Sequence, residues 1–331
     1  MKKGEFMLFS FDIDGTLINP KDKMCEANTV NQQVAYAIAL SLIKGDTVII
    51  NTGHRSVEKI KWVCFDIIKQ VYYVDENGKS LFLEKDRQKF FDAINNNLYA
   101  SNFCGACLRK VRVNNFTEIA LKYSDINDLK TKAINLEEPI MQNYVPVNVI
   151  ENFKKVMQNN DYFRGYNGQY SLRTHNSQEN RTLEDEIKSG LYYYFRKGDK
   201  IEMPEDLVLD EIQEKEIKLK QILKENNLPL SVNCMWDNGF VVVSDKSTKT
   251  APIKFLSKKL GYDKNQVIHF GDDINDIIDK NVGRSFIINN SNYKKQQEKN
   301  KVSTDNVTYF DDLISAVTCA HLEQIITQKE M

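Results

Sequence analysis

Short apolar runs near both ends of the chain, each followed by a polar loop and a helix-like pattern, restrict its fold more than any other feature. Phe6 to Phe11 reads as a buried strand broken only by Ser10. Ala27 to Lys44 carries Ala, Leu and Ile at helical spacing until Gly45 closes it. Thr47 to Asn51 is a second buried strand, a helix follows from Ser56 to Lys69, and Val71 to Val74 is a third strand. This strand–helix order predicts parallel neighbours joined by right-handed crossovers. Asn77-Gly78 then turns the chain into Ser80–Leu83, a short hairpin. The alternation is lost from Lys85 and resumes late: helix Thr250–Leu260, strands Gln266–Phe270, Ser285–Ile288 and Val307–Phe310, and a closing helix Asp311–Ile326. The expected architecture is α/β, a Rossmann-like doubly wound parallel sheet. Its core is split into residues 1–84 and 246–331 around an inserted α+β cap at 85–245.

Within the insertion, Asp86–Tyr99, Asp125–Asn135, Asn148–Met157 and Leu209–Asn226 read as helices, and Phe116–Tyr123 and Gln169–Thr174 as strands. Asn176 to Asp206 is polar and charged around a Tyr192–Phe195 aromatic cluster and reads as helix and loop. Leu230–Met235 and Phe240–Ser244 form a hairpin around Asp237-Asn238-Gly239.

Four polar loops follow a strand or open a helix: Asp12 with Asp14, Thr52-Gly53, Lys249, and Asp272 with Asn275 and Asp276. In a parallel sheet such loops gather at one edge. Together they offer carboxylates for a divalent cation, a hydroxyl and backbone N–H groups for phosphate oxygens, and one fixed cation. Phosphoryl transfer needs this combination, because its catalysis is mainly positioning and charge neutralisation. Each piece alone has a plainer reading: Thr52 as a helix cap, Lys249 as one solvated lysine beside Lys246, and Asp272-Asp273 as an acidic turn.

These motifs resemble the haloacid dehalogenase superfamily of phosphatases, in particular the Cof-type branch with a large inserted cap. Asp12-Ile13-Asp14-Gly15-Thr16 is similar to its first motif, Thr52-Gly53 to the second, and Gly271-Asp272-x-x-Asn275-Asp276 to the fourth. Lys249-Thr-Ala stands where the family has its lysine-led helix start, and the interval to Asp272 favours Lys249 over Lys246. Two departures bear on substrate: His54 replaces the arginine usual after Thr-Gly, and Thr250 replaces the glycine after the lysine. The resemblance implies that Asp12 is the nucleophile, forming an aspartyl-phosphate, and that Asp14 is the acid and then the base. It implies Mg²⁺ held by Asp12, the Asp14 carbonyl and Asp272, with Asp276 orienting that shell. Thr52, Gly53, Lys249 and Asn275 would hold the phosphoryl oxygens. The implied reaction is hydrolysis of a small phosphorylated metabolite such as a sugar phosphate. A mutase of the phosphomannomutase kind and a non-catalytic binding protein are the alternatives.

A net charge of −1, from 45 basic and 46 acidic residues, supplies no general field for nucleic acid or an anionic membrane. Met1-Lys2-Lys3 and the apolar run ended by Asp12 do not make a signal peptide, and no apolar run is long enough to span a bilayer. Six scattered cysteines then read as free thiols in a reducing cytoplasm, and the expected partner is a small phosphate ester. Cys104-Gly-Ala-Cys107 has no second ligand pair in view for zinc. His269, inside an apolar strand, reads as a packed residue. Arg173 and His175 either reach a substrate or lie on an exposed strand face.

Overall fold

In the computed structural model the described residues are 6–18, 29–53, 57–70, 84–114, 132–160, 169–170, 191–194, 196–197, 200–201, 209–235, 239–288 and 305–330. The first unit is built on a nine-stranded sheet. Its parallel part comprises β1 (Leu8–Phe11), β2 (Thr47–Asn51), β3 (Leu98–Asn102), β13 (Val267–Gly271), β14 (Arg284–Ile288) and β15 (Val307–Phe310), in the order β15-β14-β13-β1-β2-β3. Every adjacent pair in that run is parallel. β4 (Cys107–Val113) and β5 (Ile134–Leu136) extend the sheet antiparallel beyond β3, and β6 (Met141–Gln142) pairs with β4.

The two faces are covered by different helices because side chains alternate along each strand. Phe9, Phe11, Val48, Ile50, Ile268 and Phe270 share a core with α1 (Gln32–Lys44), α2 (Val57–Lys69), α3 (Glu84–Asn97) and α7 (Leu313–Glu330). Leu8, Ile49 and Val267 face the other way, onto Ile253 and Leu256 of α6 (Thr250–Leu260). Gly45 closes α1 in the left-handed conformation at φ 102°, as its position past the last periodic residue predicts. The chain leaves β1 toward β2 on one side and reaches β13, β14 and β15 on the other. The strand order therefore reverses between β1 and β13, the position where open α/β sheets form their crevice. Phe11 and Phe270 stack across this junction, with centroids 4.5 Å apart and planes 5° from parallel.

The second unit spans Gln142–Thr248. Its four-stranded sheet runs β11 (Leu230–Met235), β12 (Gly239–Ser244), β8 (Leu191–Tyr194), β7 (Gln169–Tyr170), all antiparallel. β9 (Arg196–Lys197) and β10 (Lys200–Ile201) pair separately. Ile150, Phe153 and Met157 of α4 (Val147–Gln158) pack with Leu219, Ile222 and Leu223 of α5 (Leu209–Glu225) in a core of their own. Among the described residues no helix is long and apolar enough to cross a membrane.

Three expectations change. The boundary expected at 84 lies at 141, because β3, β4 and β5 belong to the core sheet and β3 is buried along its whole length. The helix pattern expected to Tyr99 ends at Asn97, where Leu98–Asn102 is drawn into parallel pairing with β2. Tyr192–Tyr194, expected within a helix-and-loop segment, lies in β8 and pairs with β12, as the β preference of aromatic residues permits. Val71–Val74, the Asn77-Gly78 hairpin, Phe116–Tyr123, Arg173 and His175 lie outside the described residues.

Candidate active site

The site begins where β1 stops. Asp12 donates its backbone N–H to Phe270 O at 2.9 Å, which ties the end of β1 to β13. The chain then folds into a tight loop: Ile18 N–H donates to Ile13 O at 2.8 Å and Gly15 N–H to Ile18 O at 2.9 Å. Gly15 sits at φ 82°, and a Cβ there would lie 2.0 Å from Asp272 Oδ2. Conformation and space both demand glycine at this point. Thr16 donates its hydroxyl to Asp272 Oδ1 at 3.4 Å, joining the two acidic loops.

Lys249, at the mouth of α6, is the cation of the site. Its Nζ lies 2.7 Å from Asp12 Oδ1 and 2.5 Å from Asp276 Oδ1. Its backbone carbonyl accepts from Asn51 Nδ2 at 2.8 Å, so the end of β2 grips the same residue from behind. Asp276 also accepts from His269 Nε2 at 3.0 Å, and its Oδ2 accepts from the amides of Asp272 and Asp273 at 3.2 and 3.1 Å. A Cβ on Gly271 would lie 2.1 Å from Asp276 Cβ, so the short Gly-Asp-Asp turn is what admits this carboxylate.

The electrostatics follow from burial. Asp12 is almost wholly buried, which pushes its carboxyl well above the usual range; Lys249 opposes that rise, while Asp276 and Asp272 add to it. Burial also works against an ionised Asp276, but Lys249 and His269 outweigh it and hold that carboxyl below the usual range. Burial would lower the Lys249 ammonium, yet Asp12 and Asp276 together raise it well above its ordinary value.

Asp12, Asp272 and Asp276 each place one oxygen within 4.8 Å of the others, a group able to hold a divalent cation such as Mg²⁺. Asp276 accepts from four donors, which fill the lone-pair sites of a carboxylate. It therefore fits the role of organiser, and Asp12 and Asp272 fit that of ligands.

The structure thus brings Asp12, Lys249, Asp272 and Asp276 together. Asp14 stands in the same loop with its side chain 51% exposed and ion-paired to Lys59 of α2. Thr52 is buried at the end of β2; its N–H donates to Ser101 O at 2.9 Å and its carbonyl accepts from Cys104 N at 3.3 Å. Gly53 follows, its carbonyl 3.9 Å from Cys104 Sγ. Asn275 is exposed on the 3-10 turn Ile274–Asp276 and bonds Asp273 Oδ1 through both its backbone and side-chain nitrogens, at 3.1 and 3.3 Å. Lys246 is exposed in the second unit. His54 lies outside the described residues. Cys104 and Cys107 are buried and not joined in a disulfide, and among the described residues they belong to no metal-ligating group.

Sequence reasoning missed Asn51 and Lys59. Asn51 carried a weak signal, an amide closing an apolar strand directly before Thr52. Lys59 carried none, being one of several lysines on a charged helix face.

A carboxylate pair at the switch point of a parallel sheet, with a largely buried lysine across it, is an arrangement able to position a phosphoryl group and neutralise its charge. A family profile described as haloacid dehalogenase-like hydrolase matches residues 9–308, and the chain belongs to that family. Among solved structures, the IMP-nucleotidase of Plasmodium falciparum aligns at 12% identity and a TM-score of 0.53, covering 99% of this chain and 65% of that one. A haloacid dehalogenase-like hydrolase from Bacteroides thetaiotaomicron aligns at 13% identity and a TM-score of 0.51, covering 95% of this chain and 99% of that one. The chain therefore spans less than two thirds of the nucleotidase, and at these identities the likeness concerns the fold. No curated protein matches the chain.

Proposed function

We propose that the protein is a Mg²⁺-dependent phosphatase of the Cof type that hydrolyses the monoester of a small phosphorylated metabolite. The observation that supports this most is the Lys249 ammonium, fixed 2.7 Å from a buried Asp12 that stands at the carboxyl end of its strand. Asp12 attacks phosphorus and forms an aspartyl-phosphate, dividing one difficult displacement into two. Asp14, exposed and two residues on, protonates the leaving oxygen and then takes a proton from water. Its ion pair with Lys59 must open for the first of these steps. Lys249, Thr52, the Gly53 N–H and Asn275 hold the phosphoryl oxygens.

Asp12, the Asp14 carbonyl and Asp272 would hold Mg²⁺, with Asp276 setting their arrangement. When bound, Mg²⁺ neutralises charge on the phosphoryl oxygens and orients the ester. The inserted unit, Gln142–Thr248, is assigned substrate selectivity. A phosphate-release screen with Mg²⁺ across sugar, nucleotide and cofactor phosphates tests the proposal. The fold likeness to an IMP-nucleotidase is reason to include IMP. Release of inorganic phosphate from at least one ester, dependent on Asp12, is the expected result. Transfer only in the presence of a sugar bisphosphate would favour a mutase, and no turnover of any ester would refute both.

A further inference from the structure

Two polar side chains in the middle of the sheet, Ser10 and His269, touch neither the ester nor the metal in the roles given above. Ser10 and His269 are opposite residues on the parallel strands β1 and β13, and neither has any exposed surface. Leu8, Ile49 and Val267, on the same face, are apolar and fully buried. A hydroxyl and an imidazole at such a place cost free energy unless their polar atoms find partners. His269 Nε2 lies 3.0 Å from Asp276 Oδ1, and its Nδ1 lies 3.0 Å from Ser10 Oγ and 3.1 Å from Ser10 O. The same Asp276 oxygen accepts from Lys249 at 2.5 Å, and Lys249 reaches Asp12 at 2.7 Å. Strand periodicity puts Ser10 and Asp12 on one side of β1, so this line of bonds runs directly beneath the nucleophile.

We propose that Ser10 and His269 are positioning residues of the site: the Ser10 hydroxyl donates to His269 Nδ1, His269 Nε2–H donates to Asp276, and Asp276 so fixed holds Lys249 against Asp12. This rests on the phosphatase reading for its catalytic consequence, though not for its geometry. An ionised Asp276 only accepts, so the proton of the shared bond sits on His269 Nε2. Nδ1 of a neutral ring is then an acceptor, and of the two Ser10 oxygens near it only the hydroxyl can donate. Burial lowers the imidazole pKa and agrees with a neutral ring. Without His269, one of the four bonds that fix Asp276 is gone, and it is the bond on the oxygen that Lys249 shares. The carboxylate could then turn, and the ammonium would lose its fixed distance to Asp12.

The test uses the full chain and three variants, with p-nitrophenyl phosphate as the substrate probe and Mg²⁺ present. His269→Leu should lower kcat by about 10- to 100-fold, the range typical of outer partners that orient the residues of a metal-binding site, with a smaller change in KM. His269→Gln, whose amide nitrogen can take the place of Nε2, should recover most of that loss. Ser10→Ala should lower kcat in the same direction by less. Nitrogen–proton correlation spectra of the wild-type ring, assigned by the signal lost in His269→Gln, should show the Nε2–H tautomer, with Nδ1 shifted in Ser10→Ala. A folded His269→Leu with unchanged kcat, a His269→Gln no better than His269→Leu, or an Nδ1–H tautomer would overturn the proposal. If His269→Leu does not fold, Ser10→Ala and the spectra decide it. A wild type that releases no phosphate refutes the phosphatase reading instead, and the tautomer then decides the relay by itself.

Discussion

Replacing Lys249 by Met keeps the unbranched stem of the side chain, one heavy atom shorter, and removes the charge that holds two buried carboxylates. Lys249 is the ammonium between Asp12 and Asp276, at 2.7 and 2.5 Å, and Asp276 has no exposed surface. Breaking a buried pair from one side strands the partner charge, at a cost of about 3–5 kcal/mol. For a domain of about 150–250 residues each kcal/mol moves Tm by about 2–4 °C, so Lys249→Met should melt about 6–20 °C lower at neutral pH in chelator. The pH dependence has a definite sign. In the wild type Asp276 is held below its ordinary pKa, so its contribution is present at neutral pH and is lost only as pH falls through that depressed value. In Lys249→Met, burial and the neighbouring carboxylates act without the ammonium and raise both carboxyls above their wild-type positions, Asp12 from one that burial already elevates. The folded variant then binds protons that the unfolded chain does not, and it gains stability as pH falls toward about 4, the ordinary aspartate value. The difference in Tm should therefore narrow from pH 8 to pH 5, read by circular dichroism melts in chelator. A difference that stays constant across that range, or one below about 2 °C at pH 7, would refute the electrostatic reasoning.

Three further outcomes follow from the same geometry. Gly15→Ala puts a methyl 2.0 Å from Asp272 Oδ2 on a backbone at φ 82°, so it should lower Tm and reduce phosphate release at least tenfold (~1.4 kcal/mol); wild-type activity in that variant would contradict the packing described. Mg²⁺ at about 100 times its Kd should add about 2.7 kcal/mol of stability to the wild type, seen as a rise in Tm, and Asp272→Asn should abolish most of that rise. Replacing residues 142–248 by a Gly/Ser linker should leave slow cleavage of p-nitrophenyl phosphate but remove preference among natural esters, since the core and the insertion have separate hydrophobic clusters; preference that survives would refute a selective role for the insertion.

The core was legible because its signals are local. Thr47–Asn51 and Gln266–Phe270 are apolar runs that stop at polar loops, and a parallel sheet turns that pattern into neighbouring strand ends without further information. Asp12, Lys249 and Asp272 could be named as candidates for the same reason. The later boundary of the insertion was not legible. β4 mixes Leu108 and Val111 with Arg109, Lys110 and Arg112, so it lacks clean alternation, and its place depends on pairing with β3 and β5. The family resemblance implied Asp272 as ligand and Asp276 as organiser, but the physical basis of that difference was hidden in the sequence. It rests on four hydrogen bonds from residues spread between 249 and 273. His269 had a signal that a single strand does not display: a polar residue in an apolar run, opposite the one polar residue of another.

Covalent chemistry at Asp12 is the central claim, and peptide mapping of acid-quenched protein during turnover tests it most directly. The account predicts a phosphoryl mass increment on the peptide that carries Asp12, absent in a folded Asp12→Asn variant that also releases no phosphate. Steady turnover with no such adduct, together with retained phosphate release by Asp12→Asn, would contradict it.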